Sequence, residues 1–364
     1  MIKPDEIDAS PAKSMTVSVL GAGIMGTLSA YFIQERYPDA HVSLYDPNGF
    51  PADNASFMAG GMLAPLSELD HMSEAYLPVG FAAIDLWAEL SDKFNHGFEF
   101  SNRGSLLITH DSDRHMLERF KTILPVNSNK WSTLDAKSLE KMEPQIQAKI
   151  FRQALYMRGE AHLHPQKAMC ILQDRIQNKY TQMPDIESLK KQCDWVIDCR
   201  GMGAQKDMDL RGVKGEVLLV RNPDFALSRP LRLMHPRYPL YIVPRENHEF
   251  LIGATIIESD AHGHVSLRSG MELMSALYSL HPSFGDADII EMKAGTRPSC
   301  SDNLPRIEQR KNVICANGLY RHGFLFSPVM AQAVIGVMSG EPYEFTSLFM
   351  KDMNDECHTK RNVA

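Results

Sequence analysis

Three glycines near the start of the chain, Gly21, Gly23 and Gly26, constrain its fold more than any other feature of its 364 residues. They follow an apolar run rich in β-branched residues, 15–20. They precede a stretch, 27–36, in which Leu28, Tyr31, Phe32 and Ile33 recur at helical spacing. Residues 41–46 then read as a second short strand ending in Asp46. Strand, glycine turn, helix and strand make a βαβ unit with a G-x-G-x-x-G turn. In such a turn the first glycine permits the sharp bend. The second lets the backbone approach a pyrophosphate, which rests on the N–H groups of the helix N-terminus around Ile24 and Met25. The third allows the helix to pack closely on the strand. Asp46, at the end of the second strand, is placed to hold a ribose hydroxyl. The motif predicts dinucleotide binding and leaves NAD or FAD undecided.

The rest of the chain alternates short strands with helices. Strands are predicted at 105–109, 194–199, 215–221, 240–243, 250–254 and 312–316. Helices are predicted at 72–93, 112–124, 133–142, 166–179, 269–279 and 327–338, and the segment 47–66 reads as loop. Rossmann-like pieces therefore stand at the beginning, middle and end. The order predicts an α/β chain with a discontinuous Rossmann-type domain built from 15–70, 150–212 and 290–342. A second, α+β domain with a mixed sheet would take 71–149 and 213–289. Residues 1–14 and 343–364 read as polar tails.

Composition narrows the function classes. Hydrophobic residues make up 44% and charged residues 23%, an ordinary globular balance. The net charge of −7 provides no basic face for nucleic acid. No apolar run approaches the roughly 20 residues of a membrane span, and the polar start of the chain is unlike a secretory signal. The six cysteines, at 170, 193, 199, 300, 315 and 357, form no C-x-x-C pair. Reduced thiols in a cytoplasmic protein are the expectation. His162 and His164 lack a third ligand at metal-site spacing, so no metal is expected.

Five further blocks settle the cofactor by resemblance. Residues 55–65, from Ala55 through Ser56, Gly60, Gly61 and Met62 to Pro65, resemble the loop after the second strand in the D-amino-acid oxidase family of flavoenzymes, most closely its glycine oxidase branch. Asp198 to Ala204, with Gly201, resembles that family's glycine turn beneath FAD. Leu240 to Arg245, followed by 251–255, resembles the substrate-domain hairpin. Gly295-Thr-Arg-Pro298, with Asp302 and Pro305, resembles the G-x-R-P segment. Gly318 to Leu325 resembles the closing turn at the flavin, with Gly323, Phe324 and Leu325 beside the ring. The resemblance spans about residues 15 to 340.

It implies non-covalent FAD in the Rossmann-type domain and a small amino acid or amine as substrate. By the same resemblance Tyr241, Arg297 and Arg321 hold the substrate carboxylate. A guanidinium offers a planar fork matched to a carboxylate, and a tyrosine hydroxyl adds a neutral hydrogen bond. The implied reaction is hydride transfer from the substrate Cα to flavin N5, with oxygen as reoxidant. Whether the chain forms a homo-oligomer stays open. The sequence departs from the family at Glu308, where a glycine is usual, at His322, and at the bulky Phe324 and Phe326. These aromatic residues suit an alternative, a maturation factor that oxidises residues of a partner protein to build a protein-derived quinone.

Overall fold

Thr16–Leu20 is an almost wholly buried strand, and the chain folds outward from it. The computed structural model describes residues 14–351 apart from positions 53, 127, 148, 238 and 262. Most of both predicted polar tails, and Cys357, lie outside the described residues. Thr16–Leu20 pairs in parallel with His41–Tyr45 on one side and with Trp195–Asp198 on the other. Asn178–Tyr180 extends the sheet beyond His41–Tyr45, and Val313–Asn317 extends it beyond Trp195–Asp198. Arg306–Arg310 closes that edge as its antiparallel strand, giving six strands from three separated stretches of chain, 16–45, 178–198 and 306–317.

Helices Ile24–Arg36, Leu77–Lys93 and Gly323–Ser339 pack together against this sheet. The Gly323–Ser339 helix is apolar on nearly every face, with Phe324 through Ala331 all buried, as a helix enclosed on all sides must be. Pro328 lies inside it and has no N–H for the Phe324 carbonyl four residues back. The indole of Trp87 supplies the missing donor, at 2.7 Å to that carbonyl. Trp87 is 0% exposed and stacks on Phe324.

The second sheet is mixed and has nine strands. Its order runs Ile257–Glu258, Arg211–Arg221, Glu249–Gly253, Leu240–Pro244, Leu231–Leu233, Ser105–Ile108, Gln153–Met157 and Trp131–Asp135. Asp288–Ser299 joins it along Arg211–Arg221, from Arg211 opposite Ser299 to Arg221 opposite Asp288. Period-two alternation divides its faces. Leu218, Val220, Leu240 and Ile242 enter a core with Leu273 and Leu277 of the Leu267–Leu280 helix. Gly215, Val217 and Tyr241 face the other way.

The structure differs from the sequence reading at several elements. Residues 153–157 and 290–299, expected with the Rossmann-type part, lie in strands Gln153–Met157 and Asp288–Ser299 of the nine-stranded sheet. Residues 131–135 form a strand where a helix was predicted from 133. Asp135 ends that strand and caps the helix Ala136–Met142 by accepting from the Ser138 N–H at 2.8 Å. The last long helix begins at Gly323, not at 327. Within the stretch read as a polar tail, Thr346–Phe349 is a short helix, and Phe349 is 1% exposed among Tyr76 and Phe326. Among the described residues no helix is long and apolar enough to cross a membrane.

Candidate active site

The glycine turn sits at the carboxyl end of Thr16–Leu20, where neighbouring strands part and leave a crevice. Gly21 has φ +93°, a conformation other residues rarely adopt, and its N–H donates to the Tyr45 carbonyl at 2.7 Å. Gly26 packs directly on the Gly21 carbonyl, leaving no room for a side chain. Asp46 is 7% exposed. Its carboxylate accepts from the Ala22 N–H at 2.8 Å and the Asn48 N–H at 2.9 Å, tying the turn to the second strand. Ser56 reaches across from the 47–66 loop and accepts from the Ile24 N–H at 3.0 Å.

A single cavity of about 980 Å³ runs from this turn to the nine-stranded sheet. Of the residues singled out in the sequence it is lined by Gly21, Gly23, Ile24, Met25, Asp46, Ser56, Gly61, Met62, Gly201, Gly323, Phe324 and Leu325 toward the first sheet. Tyr241, Arg297 and Arg321 line it as well. Gly26 is outside, in its packing position. Phe326 does not reach the cavity either. It is 1% exposed among Tyr76, His322 and Phe349, and Phe324 is 3% exposed on Trp87. Of the aromatic residues read as a partner-facing mouth, Phe326 is therefore interior packing, while Phe324 and His322 are buried but line the cavity. Glu308 lies on the Arg306–Arg310 strand and accepts from Arg310 at 3.0 Å, also outside the cavity wall.

Glycines make space for the two side chains on the second sheet. A Cβ at Gly60 would meet the Tyr241 ring at 2.7 Å, and one at Gly215 would overlap the Arg297 guanidinium. Arg297 donates to the Thr255 carbonyl at 3.2 Å, a neutral partner. Burial pulls its pKa down, and nearby Arg321 adds to that. Arg321 differs. Its guanidinium lies 2.9 Å from the Glu68 carboxylate, which more than offsets the effect of burial and raises its pKa. Burial raises the pKa of Tyr241 and lowers that of His322 to about 4, so both are neutral near pH 7. His322 is 4% exposed, and its Nε2 has no partner.

Sequence reasoning missed Glu68, Gly215 and Trp87, and the room that Gly60 leaves for Tyr241. Only Gly60 carried a local signal, as half of a glycine pair. Glu68 sits in an apolar stretch, 64–69, where a buried acid announces only that it has some partner.

The model of the family of FAD-dependent oxidoreductases known as DAO matches residues 16–336. The chain belongs to this family. A Rhizobium etli protein named as the thiamine biosynthesis oxidoreductase ThiO is 38% identical over 328 residues, covering 88% of this chain and 95% of its own. A glycine oxidase of Geobacillus kaustophilus is 25% identical over 368 residues, covering 90% and 94%. The crystal structure of glycine oxidase from that organism superposes with a TM-score of 0.80 at 21% identity, covering 93% of this chain and 99% of that one.

This FAD-dependent oxidoreductase offers a cavity that fits its cofactor. The helices Ile24–Arg36 and Gly323–Ser339 both begin on the cavity wall, and neither has an acidic residue in its first turn. Both N-terminal dipoles therefore face the same space uncompensated, which favours an electron-rich or anionic group there. Gly23 has open backbone on the cavity side, with the Ser56 hydroxyl 3.3 Å from where a Cβ would stand.

Proposed function

We propose that the protein oxidises a small amino acid at its CH–NH bond, as an oxidase of the glycine oxidase and ThiO kind. The observation that carries this reading is one cavity with a dinucleotide cradle at one end and the Arg297 guanidinium, matched only by a neutral carbonyl, at the other. In this reading Gly21, Gly23, Ile24, Met25, Asp46, Ser56, Gly61, Met62, Gly201, Gly323, Phe324 and Leu325 hold FAD, while Gly26 keeps the helix on its strand. FAD, when bound, would supply a hydride acceptor for the substrate Cα–H and a route for the two electrons to dioxygen, so that the products would be hydrogen peroxide and an imine open to hydrolysis by water.

The chain's own task is to hold the substrate. Arg297 grips the carboxylate through a charge-assisted fork, and the neutral Tyr241 hydroxyl donates a further hydrogen bond. Fixing the carboxylate fixes the adjacent Cα, so orientation supplies much of the rate advantage. The surrounding groups do not need to include a strong base if the amine binds neutral. Neutral His322 is compatible with that, because it adds no third cation beside Arg297 and Arg321. The names of the relatives support glycine or a similarly small amino acid, and the ThiO relative supports a setting in thiamine biosynthesis.

The test is an anaerobic screen of the yellow holoenzyme with glycine, sarcosine, small D-amino acids and simple amines, following loss of the flavin absorbance. Bleaching by a small amino acid, with peroxide formed on readmitting air, is the expected result. Full flavin content with no bleaching by any free amine refutes the proposal. Deleting the gene should create a growth requirement for thiamine if the proposed setting is right.

A further inference from the structure

The charges around Arg297 do more than provide an anchor. Glu68 is 9% exposed, and both of its oxygens face Arg321. Arg321 donates to Oε1 at 3.1 Å, and its Nη2 lies 2.9 Å from Oε2. Burial alone would raise the Glu68 pKa, but the Arg321 and Arg232 guanidiniums outweigh it and hold the carboxyl at about 2. Arg232 is committed on the outer side, where it donates to both oxygens of Asp70 at 2.9 and 2.6 Å. The cavity end therefore holds two guanidiniums, one carboxylate, and two neutral groups, Tyr241 and His322. Its net charge is one positive, and the cation without an anionic partner is Arg297.

We propose that Glu68 selects the substrate by charge: by occupying Arg321 it restricts the site to one carboxylate and rejects dicarboxylates of similar size. This rests on reading Arg297 as the carboxylate anchor. A second substrate carboxylate would look to Arg321 and meet the Glu68 anion there. In a partly desolvated pocket, two like charges at contact distance oppose binding strongly. Arg321 thus does not act as a second equal anchor. It holds Glu68 in place, and Glu68 in turn masks its charge. Glu68→Gln keeps the shape and an acceptor oxygen for Arg321 but removes the anion. That change frees one positive charge for a second carboxylate.

A matched pair of unreactive acids reads this without turnover. Methoxyacetate and diglycolate differ by one carboxylate in place of one hydrogen, and their binding to the holoenzyme is followed by perturbation of the flavin spectrum. The parent should bind methoxyacetate at least about tenfold more tightly than diglycolate, the scale of one like-charge contact in such a site. In Glu68→Gln the ratio should shift by about tenfold or more toward diglycolate, and Glu68→Asp should retain the parent's preference. Turnover of sarcosine against iminodiacetate, which differ in the same way, should follow the same shift. An unchanged ratio in an FAD-replete Glu68→Gln protein overturns the proposal while leaving the oxidase reading intact. A parent that binds both acids equally overturns it without any variant, so a Glu68→Gln protein that fails to hold FAD leaves the question decidable. A parent that binds neither acid and oxidises no amino acid removes the anchor reading and this proposal with it.

Discussion

Replacing Arg297 by alanine separates substrate binding from cofactor binding, because the guanidinium has one neutral hydrogen-bond partner and faces the cavity with its remaining donors. No intramolecular ion pair breaks when it is removed. The loss should therefore appear almost entirely in the contact to a substrate carboxylate. Truncating one side of a desolvated, hydrogen-bonded charge pair typically costs on the order of 2–5 kcal/mol. At about 1.4 kcal/mol for each factor of ten, kcat/KM for glycine should fall by roughly one and a half to three and a half decades. Arg297→Lys should recover little of this, because a compact ammonium does not reproduce the fork.

The assay is anaerobic flavin reduction by glycine, sarcosine and a primary amine without a carboxylate, in the parent and both variants. Flavin content should stay near that of the parent, and any reduction by the simple amine should hardly change. Equal losses on all three substrates, or a protein that purifies without FAD, would mean that Arg297 supports the wall of the cavity and does not anchor the substrate. That guanidinium would then have no carboxylate to bind.

Substitutions at four further positions probe the frame around the site. Gly23→Val should purify largely without FAD, because its methyl groups would press on Ser56 and enter the space at the helix N-terminus; the ratio of flavin to protein absorbance measures this. Trp87→Phe should destabilise the fold by about 1–3 kcal/mol by leaving the buried Phe324 carbonyl without a donor, and Pro328→Ala, which restores an N–H four residues on, should recover part of that loss in a thermal-denaturation cycle. Glu160 is buried, held by the Ser67 N–H and the Ser67 and Ser105 hydroxyls, and burial pushes its pKa up to about 7. A raised folded pKa gives stability that is present at low pH and lost as pH rises through about 7. Relative to Glu160→Gln, the parent should therefore lose up to about 1.4 kcal/mol per pH unit above pH 5, until the loss levels off beyond pH 7; urea unfolding of both proteins from pH 5 to 8 reads the difference.

What could be read in the sequence was local in its cause. The Gly21–Gly26 turn is legible because each glycine answers to a neighbour in the same βαβ unit. The Tyr241 and Arg297 blocks were legible through their family motifs, although neither motif shows which glycine makes room for the side chain. A start at 327 puts Pro328 in the first turn, where its missing N–H costs nothing, yet the last long helix begins at Gly323 and carries Pro328 in its interior. The helix persists through Pro328 because an indole from another helix, 237 positions away, donates to the orphaned carbonyl. Residues 133–135 read as helix in the sequence because what makes 131–135 a strand is its pairing with 153–157. Period and propensity within one segment do not encode a partner that lies elsewhere.

Glu68 shows the same limit at the site itself. Its partner Arg321 is 253 positions away, and neither residue alone reveals that their charges cancel. Two arginines in family motifs suggest two equivalent carboxylate anchors. The folded chain makes them unequal, with Arg321 neutralised by an anion and Arg297 facing only a carbonyl. The difference arises from where the 64–70 stretch is held. Ser67 donates through its backbone N–H to Glu160 at 2.7 Å, and the Ser67 carbonyl accepts from Arg232. The buried Glu160 and Arg232 together fix the turn that carries the next residue, Glu68, into the cavity. Substrate selection at this site thus depends on interior polar contacts as much as on the groups that touch the substrate, and a change at Glu160 or Arg232 should alter the preference between one carboxylate and two without contacting either.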